Sequence, residues 1–91
     1  MDALTFSLDV ITEVGTPIRV VLNPHSSGGI VSFFDRRLQY SDNGHKICDY
    51  FYNEVVSPGF ESMILSGGHE DWHIDWDTFN MIFRWLRSFE F

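Results

Sequence analysis

The chain has little of what several protein classes require: one cysteine, three prolines, six basic residues and no long apolar run. A single Cys48 cannot form an internal disulfide, which excludes a disulfide-stapled secreted scaffold and favours a reducing compartment. The longest uncharged stretch, 20–34, is interrupted by Pro24 and by two adjacent glycines. It therefore falls short of the roughly 20 apolar residues of a membrane-spanning helix. The first residues carry no basic leader, so we expect a soluble cytoplasmic protein.

Aromatic and aliphatic residues are abundant. Of the 91 residues, 44% are hydrophobic and 16% are aromatic, which is typical of a packed globule and excludes a disordered or low-complexity chain. A chain of this length forms one core, because domains of this size bury too little surface to divide further. We expect a single compact α+β domain over residues 1–91.

The charge is strongly asymmetric. Thirteen acidic and six basic residues give a net charge of −7, and residues 41–77 alone, with eight acids and Lys46, account for a net −7. The first 40 residues contribute −1 and the last fourteen contribute +1, so the middle segment supplies all of the excess. This sign opposes direct binding to nucleic acid or to an anionic membrane, which both require basic patches, and favours a basic protein partner.

Three strands are predicted in the first part of the chain. Apolar residues alternate with mostly polar ones over 4–11 and again over 18–22, and a third stretch, 30–38, follows a turn rich in proline, serine and glycine. Short turns between alternating stretches are typical of antiparallel hairpins.

The second part of the chain predicts a mixture of helices and strands. Apolar residues recur at helical spacing over 48–56, and Pro58 ends that helix. Residues 60–65 and 71–77 are predicted to be strands, the latter with its tryptophans facing the core. An apolar stripe at helical spacing predicts a final helix, which is capped by Asp77 or Thr78. This β-β-β-α-β-β-α order predicts an α+β fold with an antiparallel sheet of about four to five strands and two helices on one face.

One short motif suggests metal chemistry. His69, Glu70 and His73 spell H-E-x-x-H and resemble the zincin metalloprotease signature, which implies two zinc ligands and a general base. The preceding glycines and the alternation of Trp72 with Trp76 favour a strand, in which the two histidines lie roughly 13 Å apart. We therefore expect a coincidence, with no catalytic residue, metal or cofactor. A small metal-dependent hydrolase using this segment is the alternative.

Two further groups have a functional and a structural interpretation. Cys48 is a candidate nucleophile, but its place on an apolar stripe favours a small buried hydrophobic residue. Arg36 and Arg37 can pair with acids of the same chain, beginning with Asp35, or recognise a carboxylate or phosphate on a partner. We expect the pairing within the chain.

The acidic side chains form the strongest functional pattern. We expect a protein-binding surface made of the predicted strand and the neighbouring helix, through the residues Glu70, Asp71, Asp75, Asp77, Asp49 and Glu54. Carboxylates at regular strand spacing mimic a polyanion and compete for the basic groove of a nucleic-acid-binding protein.

In size, acidity and lack of catalytic motifs, the chain resembles the anti-CRISPR and antirestriction inhibitors of phages and mobile elements. The resemblance implies a non-enzymatic inhibitor or sequestering partner of a basic, nucleic-acid-handling protein, in the host cytoplasm if a phage encodes it. A structural subunit of a homo-oligomer, associating through aromatic residues, is a further alternative.

Overall fold

The computed structural model describes residues 4–25, 28–39, 41–64 and 74–89, and these form four strands and three helices. The elements in chain order are β1 (Phe6–Ile11), β2 (Pro17–Asn23), β3 (Ile30–Asp35), β4 (His45–Phe51), α1 (Tyr52–Val55), α2 (Phe60–Met63) and α3 (Trp76–Arg87). The α+β class and the antiparallel sheet are confirmed.

The sheet is an antiparallel meander in the order β1-β2-β3-β4. Its register places Val10 opposite Ile18 and Val20 opposite Phe33. A shift in register between Phe33 and Phe34 marks a bulge where β3 pairs with β4. β1 and β4 are the two outer strands, and the acids that they carry are therefore held at opposite edges of the sheet.

One face of the sheet is the core. Alternation along β2 buries Ile18, Val20 and Leu22 completely, as period-two patterning predicts. All three helices add side chains to the same apolar cluster, so they pack on this face. From α3 the contribution is a stripe of wholly or almost wholly buried residues at helical spacing, namely Phe79, Ile82 and Leu86. The other face carries the polar side chains of the strands.

The helix predicted over 48–56 is wrong for its first four residues, 48–51. Residues up to Phe51 belong to β4, and α1 is a single turn that starts at Tyr52. The physical reason is pairing. Cys48 lies opposite Phe33 and Tyr50 lies opposite Val31, so β4 satisfies the backbone hydrogen bonds on the far side of the buried strand β3.

The strand predicted over 60–65 is also wrong, because α2 occupies Phe60–Met63. Phe60 and Ile64 are both buried, and their spacing of four residues is that of a helix. Gly59 precedes α2 with φ of 89°, a backbone conformation that glycine adopts without strain.

The strand predicted over 71–77 is corrected at its second half. Residues 71–73 lie outside the described residues, whereas Trp76 and Asp77 are the first residues of α3. The helix cap is Asp75, not Asp77 or Thr78, since the Asp75 side chain accepts a hydrogen bond from the backbone of Thr78. The expected stripe of α3 is confirmed.

Candidate functional site

The carboxylate of Asp75 joins two distant parts of the chain. Its Oδ1 accepts hydrogen bonds from the Glu13 backbone N–H at 2.9 Å and from the Thr78 hydroxyl at 2.7 Å, and Oδ2 accepts from the Thr78 N–H at 3.1 Å. Burial works to raise the pKa of Asp75, but these hydrogen bonds outweigh it and the pKa lies below its usual value. Asp75 is therefore ionised at neutral pH and fixes the β1–β2 turn against the start of α3.

Exposed apolar and acidic side chains surround this joint. Val14 in the turn is 69% exposed and Trp76 on the first turn of α3 is 53% exposed. Glu13 and Asp77 are exposed beside them. We call these four residues and Asp75 the acidic end. Within the described residues, no basic side chain lies within 4.0 Å of its three carboxylates.

The basic residues of the sheet, in contrast, are all in ion pairs. Arg19 donates to both oxygens of Asp9, at 2.7 and 2.9 Å, and Arg36 approaches the same carboxylate at 3.6 Å. Arg37 pairs with Asp35 at 2.6 Å, so the pairing expected for both adjacent arginines within the chain is confirmed. Each of these arginines thus has an acid of the sheet nearby, whereas the three carboxylates of the acidic end have no basic neighbour among the described residues.

These ion pairs make folding sensitive to acid. Hydrogen bonds from Arg19 hold the pKa of Asp9 below its usual value, and those from Arg37 do the same for Asp35. A carboxyl whose pKa is lower in the folded chain stabilises the fold above its unfolded pKa, and that contribution disappears as the pH falls through the folded value. We expect the thermal midpoint to fall between about pH 5 and about pH 2.

Calorimetry over that range measures the effect. Asp9→Asn, which cannot be ionised, should show a shallower decline than the wild type, while Asp42→Asn in the β3–β4 turn should follow the wild type. Equal slopes for all three proteins would contradict the assignment.

The six acids expected to form one surface are only partly brought together. Asp75 and Asp77 lie at the acidic end, on the start of a helix instead of along a strand, whereas Glu70 and Asp71 lie outside the described residues. The prediction that the acids repeat at regular strand spacing is therefore wrong for Asp75 and Asp77.

Asp49 and Glu54 lie elsewhere. Asp49 is on β4, where it accepts hydrogen bonds from Ser32 at 2.5 Å and Lys46 at 3.1 Å. Burial works to raise the pKa of Asp49, but these bonds outweigh it and the pKa is lowered. Glu54 lies on α1 and accepts from the Phe51 N–H at 3.4 Å. Since β4 is the outer strand at the edge away from β1, and α1 follows β4, neither acid joins the acidic end.

His69, Glu70 and His73 lie outside the described residues, and the residues that the structure does describe contain no cluster of potential metal ligands. Cys48 is half-buried on β4, and burial raises the pKa of its thiol to about 12, against a smaller lowering by the hydrogen bond with Tyr50. The thiol is therefore protonated at neutral pH, as expected of a small apolar residue.

Sequence reasoning missed three residues of the acidic end: Glu13, Val14 and Trp76. Trp76 was expected in the core, because the alternation of tryptophans favoured a strand. A local signal argues against that strand, because the pattern Asp75-x-x-Thr78 is typical of the start of a helix. Glu13 has no such signal, since the residue that binds it is 62 positions away.

No protein-family model, no curated protein and no solved structure matches the chain. Within the described residues, none of the helices has the length and apolar character needed to cross a membrane.

Proposed function

We propose that this chain is a non-enzymatic acidic binding module that inhibits or sequesters a basic partner protein, and that the acidic end is the contact surface. The observation that carries the proposal is the 2.9 Å hydrogen bond from the Glu13 N–H to Asp75. It brings the β1–β2 turn to the start of α3, and so gathers two exposed apolar residues and three carboxylates.

The composition of the acidic end matches that of an interface. Tryptophan is enriched among residues that dominate binding free energy, and Trp76 leaves 53% of its surface in solvent. It lies on a helix that buries three other side chains in the core, so its position is fixed before binding. A preorganised anchor loses little conformational freedom when a partner covers it.

The charge selects the partner. The carboxylates of Glu13 and Asp77 are exposed and have no basic neighbour among the described residues, and the whole chain carries −7. Such a surface accelerates encounter with a basic protein and repels an acidic one. A nucleic-acid-handling protein is the partner class that we favour, since its groove combines basic residues with apolar ones that stack on bases.

The test is affinity capture from a lysate of the source cell, followed by titration of the purified captured protein. We expect Trp76→Ala to weaken binding by about 2 kcal/mol or more, which is roughly thirtyfold. The double variant Glu13→Gln/Asp77→Asn should slow association and flatten the salt dependence. Double-stranded DNA should compete with the chain if it occupies the nucleic-acid groove.

Matched controls lie away from the acidic end. Phe51→Ala removes an aromatic ring that is 54% exposed at the end of β4, and Asp42→Asn removes one exposed charge in the β3–β4 turn. Both controls should bind as the wild type does. Salt-independent binding, or equal losses in the controls and in Trp76→Ala, would overturn the proposal, and sedimentation at several concentrations separates a foreign partner from self-association.

A further inference from the structure

Arg36 lies at the centre of a second polar cluster, on the sheet face opposite the core. It follows β3, and its backbone N–H donates to the carbonyl of Pro17 at 2.9 Å. Its guanidinium turns toward Asp9, whose Oδ1 is 3.6 Å from Nη1. That distance is too long for a hydrogen bond.

The carboxylate of Asp9 is already engaged. Arg19 donates Nε to Oδ1 at 2.7 Å and Nη2 to Oδ2 at 2.9 Å, and its third nitrogen, Nη1, donates to the side-chain oxygen of Asn43 at 3.1 Å. Arg19 is thus held by the side chains of Asp9 and Asn43. Arg36 has only the Asp9 carboxylate nearby, and Arg19 binds that carboxylate more closely.

The guanidinium of Arg36 is consequently in an ion pair with Asp9 but makes no hydrogen bond to any atom of the described residues. Its Nη1 is buried and has no hydrogen-bond partner, and among the described residues no side chain accepts from its other nitrogens. The side chain is 30% exposed, so other parts of it reach solvent. A half-buried guanidinium without an acceptor is costly, because the lost hydration is not replaced.

The cluster also has an unusual charge for this chain. Two arginines and one aspartate give a local net charge of +1, in a protein whose net charge is −7. We propose that Arg36, supported by Arg19, binds a carboxylate from outside the chain. The planar fork of a guanidinium matches the two oxygens of a carboxylate. A singly charged carboxylate suits the site better than a phosphate dianion, because the net charge of −7 on the whole chain repels each additional negative charge.

This site shares no residue with the acidic end and does not depend on the function proposed for it. The probe is acetate, titrated into the full chain at constant ionic strength while the Nε–H signals of the arginines are followed by NMR. We expect a saturable shift at Arg36, a smaller one at Arg19 and no saturable shift at Arg84, which is exposed on α3. Acetate should also raise the thermal midpoint of the wild type, because a ligand that binds only the folded state stabilises it.

Three variants and a second anion sharpen the test. Arg36→Gln should abolish the stabilisation by acetate and Arg84→Gln should retain it, while Asp9→Asn should strengthen acetate binding, since the competing carboxylate is removed. Inorganic phosphate should bind more weakly than acetate. Equal, unsaturable shifts at every arginine, an undiminished effect of acetate on Arg36→Gln, or tighter binding of phosphate would each overturn the proposal.

Discussion

Phe33→Ala is expected to lower the free energy of unfolding by about 3–5 kcal/mol. Phe33 is wholly buried in the middle of β3, opposite Val20 on one side and Cys48 on the other. Its ring meets that of Tyr50 edge-on, with centroids 6.4 Å apart. Removing the ring leaves a cavity that a paired central strand cannot close. Since small domains are stable by only about 5–15 kcal/mol, the variant loses much of its stability, which urea unfolding followed by circular dichroism measures.

The matched control removes the same group from the surface. Phe51 also lies on a strand, but its side chain is 54% exposed. Phe51→Ala should change the free energy of unfolding by no more than about 0.5 kcal/mol. Similar losses in the two variants would contradict the placement of the core.

Gly44→Ala is expected to cost about 2–5 kcal/mol, because two penalties coincide in the turn between β3 and β4. Gly44 has φ of 108°, which disfavours any side chain. A Cβ there would also lie 2.6 Å from the carbonyl oxygen of Asp35 and 3.0 Å from the Cα of Arg36. These are backbone atoms at the end of a paired strand, so they cannot move without disturbing the sheet.

Gly15→Ala separates the two penalties. Gly15 lies in the β1–β2 turn with φ of 90°, but a Cβ there would meet no atom within 4 Å. It should therefore show the conformational cost alone, about 1–2 kcal/mol. Thermal unfolding of both variants gives the difference, and a Gly15 variant as unstable as the Gly44 variant would show that the close approach is unimportant.

The sequence by itself determined the parts of the fold whose patterns have one interpretation. The alternation over 4–11 and 18–22 occurs in β1 and β2, because a strand that covers a core on one face must alternate. The apolar stripe of α3 likewise predicts a helix, since Phe79, Ile82 and Leu86 share a face only at helical periodicity.

The segment from 48 to 64 shows why other elements could not be predicted. The apolar residues of 48–56 satisfy helical spacing, yet Cys48 and Phe51 belong to β4 because β3 needs a partner on its far side. Phe60 and Ile64 fit a short strand or one helical turn equally well, and packing against the core selects the turn. In both cases, contacts with distant residues outweigh a weak local preference.

The candidate site follows the same division. The sequence determined that the chain is acidic and that its acids are concentrated in one segment, because charge is a property of composition. The pattern Asp75-x-x-Thr78 also indicates locally where α3 starts, but only the tertiary structure decided that Glu13 lies beside Asp75. A hydrogen bond between residues 62 positions apart exists only after the sheet and α3 have packed, so no local pattern in the chain could indicate that surface.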